Sequence, residues 1–108
     1  MKMAEGITEL TTENFDDFVS SGNVIVDFWA EWCGPCQMTA PEFEKAASEN
    51  KNVKFGKVDV DGNQDLAGRF GVMSIPTVIF FKDKEQIDRH IGAMFEKEIS
   101  KKIEENFG

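Results

Sequence analysis

Hydrophobic positions along this chain follow two rhythms. Val24 to Trp29, Val53 to Val60 and Pro76 to Phe81 are runs of β-branched and aromatic residues, bounded by turn residues or charges, and they predict the central strands of a sheet. The first and third are almost continuously apolar, as strands covered by helices on both faces should be. Ile87 to Ile91 reads as a further strand and Ile7 to Leu10 as an edge strand. Elsewhere the period is helical. Cys36, Ala40, Phe43 and Ala47 recur on one face, with Glu42, Glu44, Lys45 and Glu49 on the others, and they predict a helix that Pro41 should bend. A shorter helix is expected from Gln64 to Arg69, ended by Gly68 to Gly71. Phe15, Phe18 and Val19 after Thr12 predict a short capped helix. Phe95, Ile99, Ile103 and Phe107 predict one apolar stripe on a closing helix. With no linker and no internal repeat, the pattern implies an α/β layer structure forming a single domain over residues 1–108.

Composition narrows the possible partners. The 108 residues carry a formal charge of −8 and a pI near 4.6, and no basic stripe interrupts the acidic surplus. Nucleic acid and anionic membrane surfaces both reward excess Lys and Arg, so neither is an expected partner. Ten Phe and two Trp with no Tyr predict a Phe-weighted core. The segment Met1 to Ile7 lacks the apolar core of a signal peptide, and no stretch has the length of a membrane span, so a cytoplasmic location is expected. A monomer is the expectation for this size and surface.

The chemistry is concentrated in Cys33-Gly34-Pro35-Cys36. A reducing compartment disfavours structural disulfides, so a close cysteine pair there points to redox catalysis or metal binding. Zinc requires about four ligands in a closed site, whereas this chain offers two Cys and the distant His90, itself taken as structural. Two cysteines three apart at a helix start share one face and are near enough to bridge. Such a bridge is a poor staple, since closing four residues yields only about 2 kcal/mol. Its value lies in opening and closing. Cys33 falls where Trp29-Ala30-Glu31-Trp32, read as strand, gives way to helix. Its sulfur should meet unpaired N–H groups and the positive end of the helix dipole, which favour the thiolate and mark it as the nucleophile. Cys36 begins the buried stripe and is suited to resolving a mixed disulfide. Pro35 stiffens the first turn, and Gly34 permits close approach of a partner chain.

Asp27 alternates with Ile25 and Trp29 on a central strand, so burial should raise its pKa toward neutrality and enable proton exchange; a surface Asp at a strand edge is the competing reading. Lys57 lies in an apolar run and reads equally as an ordinary solvent-facing strand lysine. Pro76 opens the third run, where trans is favoured by base rate.

Trp32-Cys33-Gly34-Pro35-Cys36 resembles the active-site signature of thioredoxins. Phe28 to Glu31 before it, Ala40-Pro41 after it, Lys57-Val58-Asp59 and Ser74-Ile75-Pro76-Thr77 appear in that family's order and spacing over essentially the whole chain. The resemblance implies a thioredoxin fold, a central mixed sheet of about five strands flanked by about four helices. It implies protein-disulfide reduction with no bound cofactor, the Cys33–Cys36 disulfide being the redox group and a thioredoxin reductase its source of reducing equivalents. Disulfide-containing proteins would be the substrates. By the same resemblance, Asp27 assists deprotonation of Cys36 and Lys57 supports Asp27. Pro76 is cis, beside the cysteines, and keeps metal from the thiols, while Ile75 pairs with substrate backbone. Trp32, Gly34, Pro35, Met73, Ser74 and Gly92, with Gly71 and Val72, would complete the substrate rim. The chain departs from the family at Gln37, where Lys or Arg is common, which removes a cation near the thiolate. It departs again at Asp83-Lys84, which lacks the usual turn Gly and should affect only a hairpin. A rigid interaction module with incidental cysteines is the competing class; replacing both cysteines by Ser separates the two.

Overall fold

A computed structural model describes residues 2–4 and 6–108, with side-chain surroundings from Gly6 onward. In chain order the elements are β1 (Lys2–Ala4), β2 (Ile7–Leu10), α1 (Phe15–Val19), β3 (Asn23–Trp29), α2 (Gly34–Glu49), β4 (Lys54–Asp59), α3 (Gln64–Arg69), β5 (Thr77–Lys82), β6 (Glu85–Ile91) and α4 (Glu96–Phe107). They form one mixed sheet in the order β1-β2-β4-β3-β5-β6. β4 runs parallel to both β2 and β3, while β5 and β6 return antiparallel.

Side-chain alternation along the strands divides the core in two. Ile7, Ile25, Phe55, Val78 and Phe80 face α2 and α4, meeting Phe43, Ala46, Ala47, Ile99 and Ile103. Leu10, Val24, Val26, Phe28, Val58, Ile79 and Phe81 face the other way, against Phe15 and Val19 of α1 and Leu66 of α3. The Phe-weighted composition appears there as a ring cluster. Phe70 stacks against Phe15, Phe28 and Phe81 with centroids 5.2 to 6.1 Å apart, in the tilted and edge-on arrangements that aromatic quadrupoles favour. Helix α4 is fastened to β6 by Lys102 and Asn106, which donate to Asp88 at 2.9 and 3.0 Å.

Several expectations need correction. Ile7–Leu10 is not an edge: the short β1 pairs outside it and adds a sixth strand to the expected mixed sheet of about five. The strand read through Trp32 ends at Trp29, because Cys33 N–H turns back to the Ala30 carbonyl at 3.2 Å. Thr12 does not cap α1. Asn14 holds the cap position without a side-chain cap bond, while the Thr12 hydroxyl donates to Asp65 of α3 at 2.9 Å. Phe95 leaves the apolar stripe: it precedes α4 at the cap position and is 47% exposed. A helical period counted back from Ile99 cannot register that the backbone at residue 95 is already extended.

Candidate active site

Parallel β3 and β4 end at the same edge of the sheet, and the segments that follow them carry the reactive groups. β3 stops at Trp29, Ala30–Trp32 form a turn, and α2 starts with Pro35 in its first turn, where a missing N–H is harmless. Cys33 is the cap residue of α2. Its sulfur accepts the Cys36 N–H at 3.2 Å, which places it on the donor end of the helix. Cys33 and Cys36 are bridged by a disulfide with their Cα atoms 5.2 Å apart. Both sulfurs pack with Ala30 against Trp29, Val60 and Ile75. Cys33 retains 5% of its surface and Cys36 2%, so the outer sulfur is more shielded than its place at a helix mouth implies. The cover comes from the segment before β5, whose Ile75 carbonyl oxygen lies 3.7 Å from the Cys33 sulfur.

The Ile75–Pro76 peptide bond is cis, against the base rate that favoured trans. The Pro76 carbonyl accepts the Gly92 N–H at 2.8 Å. Gly92, at φ +104°, makes the turn out of β6 that brings it there, a conformation side-chain-bearing residues rarely adopt. Pro76, Ile75 and Gly92 are thus assembled on one side of the disulfide. Trp32 and Met73 stand on the rim, 70% and 95% exposed, and Gly34, Pro35, Gly71 and Ser74 are exposed as well. Trp32, Val60, Asp61, Val72, Met73 and Ile75 enclose a cleft of about 280 Å³. Two larger hollows lie away from the sulfurs, one between Asn52 and Phe107 and one under His90 and Lys101, and neither includes a cysteine. His90 contacts the Ala93 carbonyl at 3.3 Å, within its own turn.

Sequence reasoning missed Asp61. The Trp32 indole N–H donates to its carboxylate at 2.8 Å, which fixes the most exposed ring beside Cys33. The signal was available in the topology: Asp61 follows β4 as Trp32 follows β3, and parallel neighbours deliver their next residues to a common edge.

Asp27 is fully buried on the face covered by α2, and neither oxygen has a hydrogen-bond partner among the described residues. The surface-Asp reading is therefore incorrect. Burial pushes its pKa up to about 7, although the Lys57 charge pulls the other way. Lys57 is not a solvent-facing strand lysine: it is 7% exposed, opposite Asp27 in register, with its ammonium 4.5 Å from the centre of the Trp29 ring. Among the described residues, no three His, Cys, Asp or Glu side chains gather as a metal would require.

The sequence matches the family model described as Thioredoxin over residues 6–105. The chain belongs to the thioredoxin family. It is 45% identical over 101 residues to the thioredoxin of Staphylococcus saprophyticus, covering 93% of this chain and 97% of that protein. Bacillus subtilis thioredoxin is 46% identical over 87 residues, 80% of this chain and 84% of the relative. The crystal structure of Malassezia sympodialis thioredoxin (Mala s 13) superposes with a TM-score of 0.84 at 34% identity, covering 92% and 89% of the two chains. The fold is accordingly the thioredoxin fold, extended by β1, and the protein is a thiol–disulfide oxidoreductase with Cys33 and Cys36 at disulfide distance. No helix among the described residues is long and apolar enough to cross a membrane.

Proposed function

We propose that this protein reduces disulfides of protein substrates in the cytoplasm and is returned to the dithiol by a thioredoxin reductase. The observation that carries the assignment of roles is the asymmetry of the pair. Cys33 is the cap residue and receives an N–H of the first helical turn, so a negative sulfur there is stabilised in place. Cys36 sits within the helix, less exposed and on its buried side.

In the forward direction the Cys33 thiolate attacks one sulfur of a substrate disulfide. A Cys33–substrate bond forms, and the other substrate sulfur leaves as a thiolate. Cys36 gives up its proton, attacks the Cys33 sulfur and releases the second substrate thiolate, so two electrons have passed to the substrate and the pair is bridged again. Asp27 is the assigned acceptor for the Cys36 proton. Its pKa near 7 makes it about half ionised at neutral pH, able to take a proton in one step and lose it in the next. Lys57 tunes Asp27 by charge. Trp32, Gly34, Pro35, Met73, Ser74, Ile75, Pro76 and Gly92 form the surface on which an extended substrate segment lies, with Ile75 offering backbone pairing. The low charge of that rim suits substrates that differ in sequence.

Insulin disulfide reduction driven by a thiol donor tests the reading. The wild-type protein should turn over and Cys33→Ser should not. Equilibration with glutathione should give a potential close to the about −270 mV typical of thioredoxins; a value near about −120 mV would instead make the protein an oxidant.

A further inference from the structure

We infer that Gln37 is a positioning residue whose amide ties the first turn of α2 to the segment preceding Cys33, and that this tie persists when the Cys33–Cys36 bond opens. The inference rests on the redox role proposed above.

Cys33 lies between two pieces of chain that must keep their relation through the cycle, the Ala30–Trp32 turn and helix α2. The turn is closed on itself by Cys33 N–H to the Ala30 carbonyl, and Trp32 anchors it sideways to Asp61. Neither contact joins it to the helix. In the oxidised protein four links join α2 to Cys33 or to the turn: the disulfide, the Cys36 N–H to the Cys33 sulfur, Gln37 Nε2, which donates to the Glu31 carbonyl at 3.0 Å, and the Gln37 backbone N–H to the Cys33 carbonyl at 3.2 Å, which stops at Cys33 and does not reach the turn. The first is broken by reduction and the second depends on where the freed sulfur goes. The third involves no sulfur. It closes a loop from Glu31 to Gln37 that contains both cysteines, so it holds the reduced pair near the geometry from which the bond re-forms. Gln37 and Glu31 are both exposed, so this contact serves no core packing.

The consequence has a definite sign. In the oxidised state the disulfide already holds this segment closed, so the Gln37 tie forms at little entropic cost and is at its most favourable. In the dithiol it restrains otherwise free chain and keeps Cys36 at high effective concentration toward Cys33. Cutting it should therefore favour the dithiol.

Gln37→Met keeps the length of the side chain and removes the donor, while Gln37→Lys keeps a donor. Equilibrated with glutathione, Gln37→Met should show a constant for disulfide closure about threefold lower than wild type, which is a potential about 14 mV less negative for a two-electron couple. Amide exchange at Cys33, whose N–H donates to the Ala30 carbonyl, should accelerate in reduced Gln37→Met, stay unchanged in the oxidised form, and recover protection in Gln37→Lys. Unchanged potential and exchange in Gln37→Met would overturn the inference. Insulin reduction by the wild type, run alongside, separates the two ideas. Turnover by wild type with no difference in Gln37→Met removes only the tie, whereas absence of wild-type turnover removes the redox role itself.

Discussion

Asp27 and Lys57 stand in register on the neighbouring parallel strands β3 and β4, yet the ammonium lies over the Trp29 ring and the carboxylate has no hydrogen-bond donor among the described residues. The pair is electrostatic without being a salt bridge. Desolvation is therefore the larger influence on Asp27, and its pKa rises from 3.8 to about 7 despite the nearby cation.

The stability of the oxidised protein should fall with pH because of this one group. Between pH 4 and pH 7 an unfolded Asp27 is ionised while the folded one remains protonated. The unfolded state then binds fewer protons, and stability declines as pH rises, levelling off above about 7. The full rise corresponds to about 4 kcal/mol. Asp27→Asn should match wild type near pH 4 and exceed it by up to about 4 kcal/mol at pH 8 in denaturant unfolding. Parallel curves for the two proteins across that range would show that no buried acid titrates there.

Lys57→Met removes the charge that opposes desolvation. The pKa of Asp27 should climb further, raising its proton affinity roughly tenfold. In the disulfide exchange cycle, the acidic limb of the rate of Cys36 attack should move upward by about one pH unit, with the Cys33 alkylation profile little changed. If both profiles move together, Lys57 acts on the whole site rather than through Asp27.

Division of labour between the sulfurs predicts opposite failures. Cys36→Ser should still attack a substrate disulfide and then stall as a covalent Cys33–substrate adduct, visible by mass and released by a small thiol. Cys33→Ser should form no adduct, since the remaining sulfur is within the helix and 2% exposed. Adducts of equal yield from both variants would contradict the assignment of roles.

The strands and helices that carry the site were legible because their signals are local. The apolar runs of β3 and β5 and the Pro-stiffened start of α2 each follow from a few neighbouring residues. The Cys33–Cys36 pair and buried Asp27 were readable for the same reason: spacing three and spacing two place them on known faces. What the pattern could not carry was long-range. The bond from Trp32 to Asp61 spans 29 positions, the cover over Cys33 comes from residue 75, and the pairing of β1 outside β2 involves a strand of only 3 residues, too short to show a period. Lys57 was ambiguous because a lone charge in an apolar strand fits either face until the register with Asp27 is known.

The hairpin between β5 and β6 offers a gain in stability that leaves the chemistry untouched. Lys82 pairs with Glu85, so Asp83 and Lys84 form a two-residue turn, and both have positive φ, 48° and 81°. Asp83 is compensated: its carboxylate accepts the Gly22 N–H at 2.8 Å and its own N–H donates to the Gly22 carbonyl at 3.0 Å. Among the described residues Lys84 has no comparable hydrogen bond, and a side chain in this region costs about 1–2 kcal/mol. Part of that cost is offset because glycine makes the unfolded chain more flexible. Lys84→Gly should therefore stabilise the protein by about 0.5–1 kcal/mol, raising Tm by about 3–6 °C in a thermal melt. Asp83→Gly should gain less, since it gives up the bond to Gly22. Thr77 begins β5 beside Pro76 and the cysteines, so the turn after Lys82 lies at the opposite end of the strand, and insulin reduction should be unchanged in Lys84→Gly. A Tm equal to or below wild type would mean that Lys84 does not hold the left-handed conformation in solution.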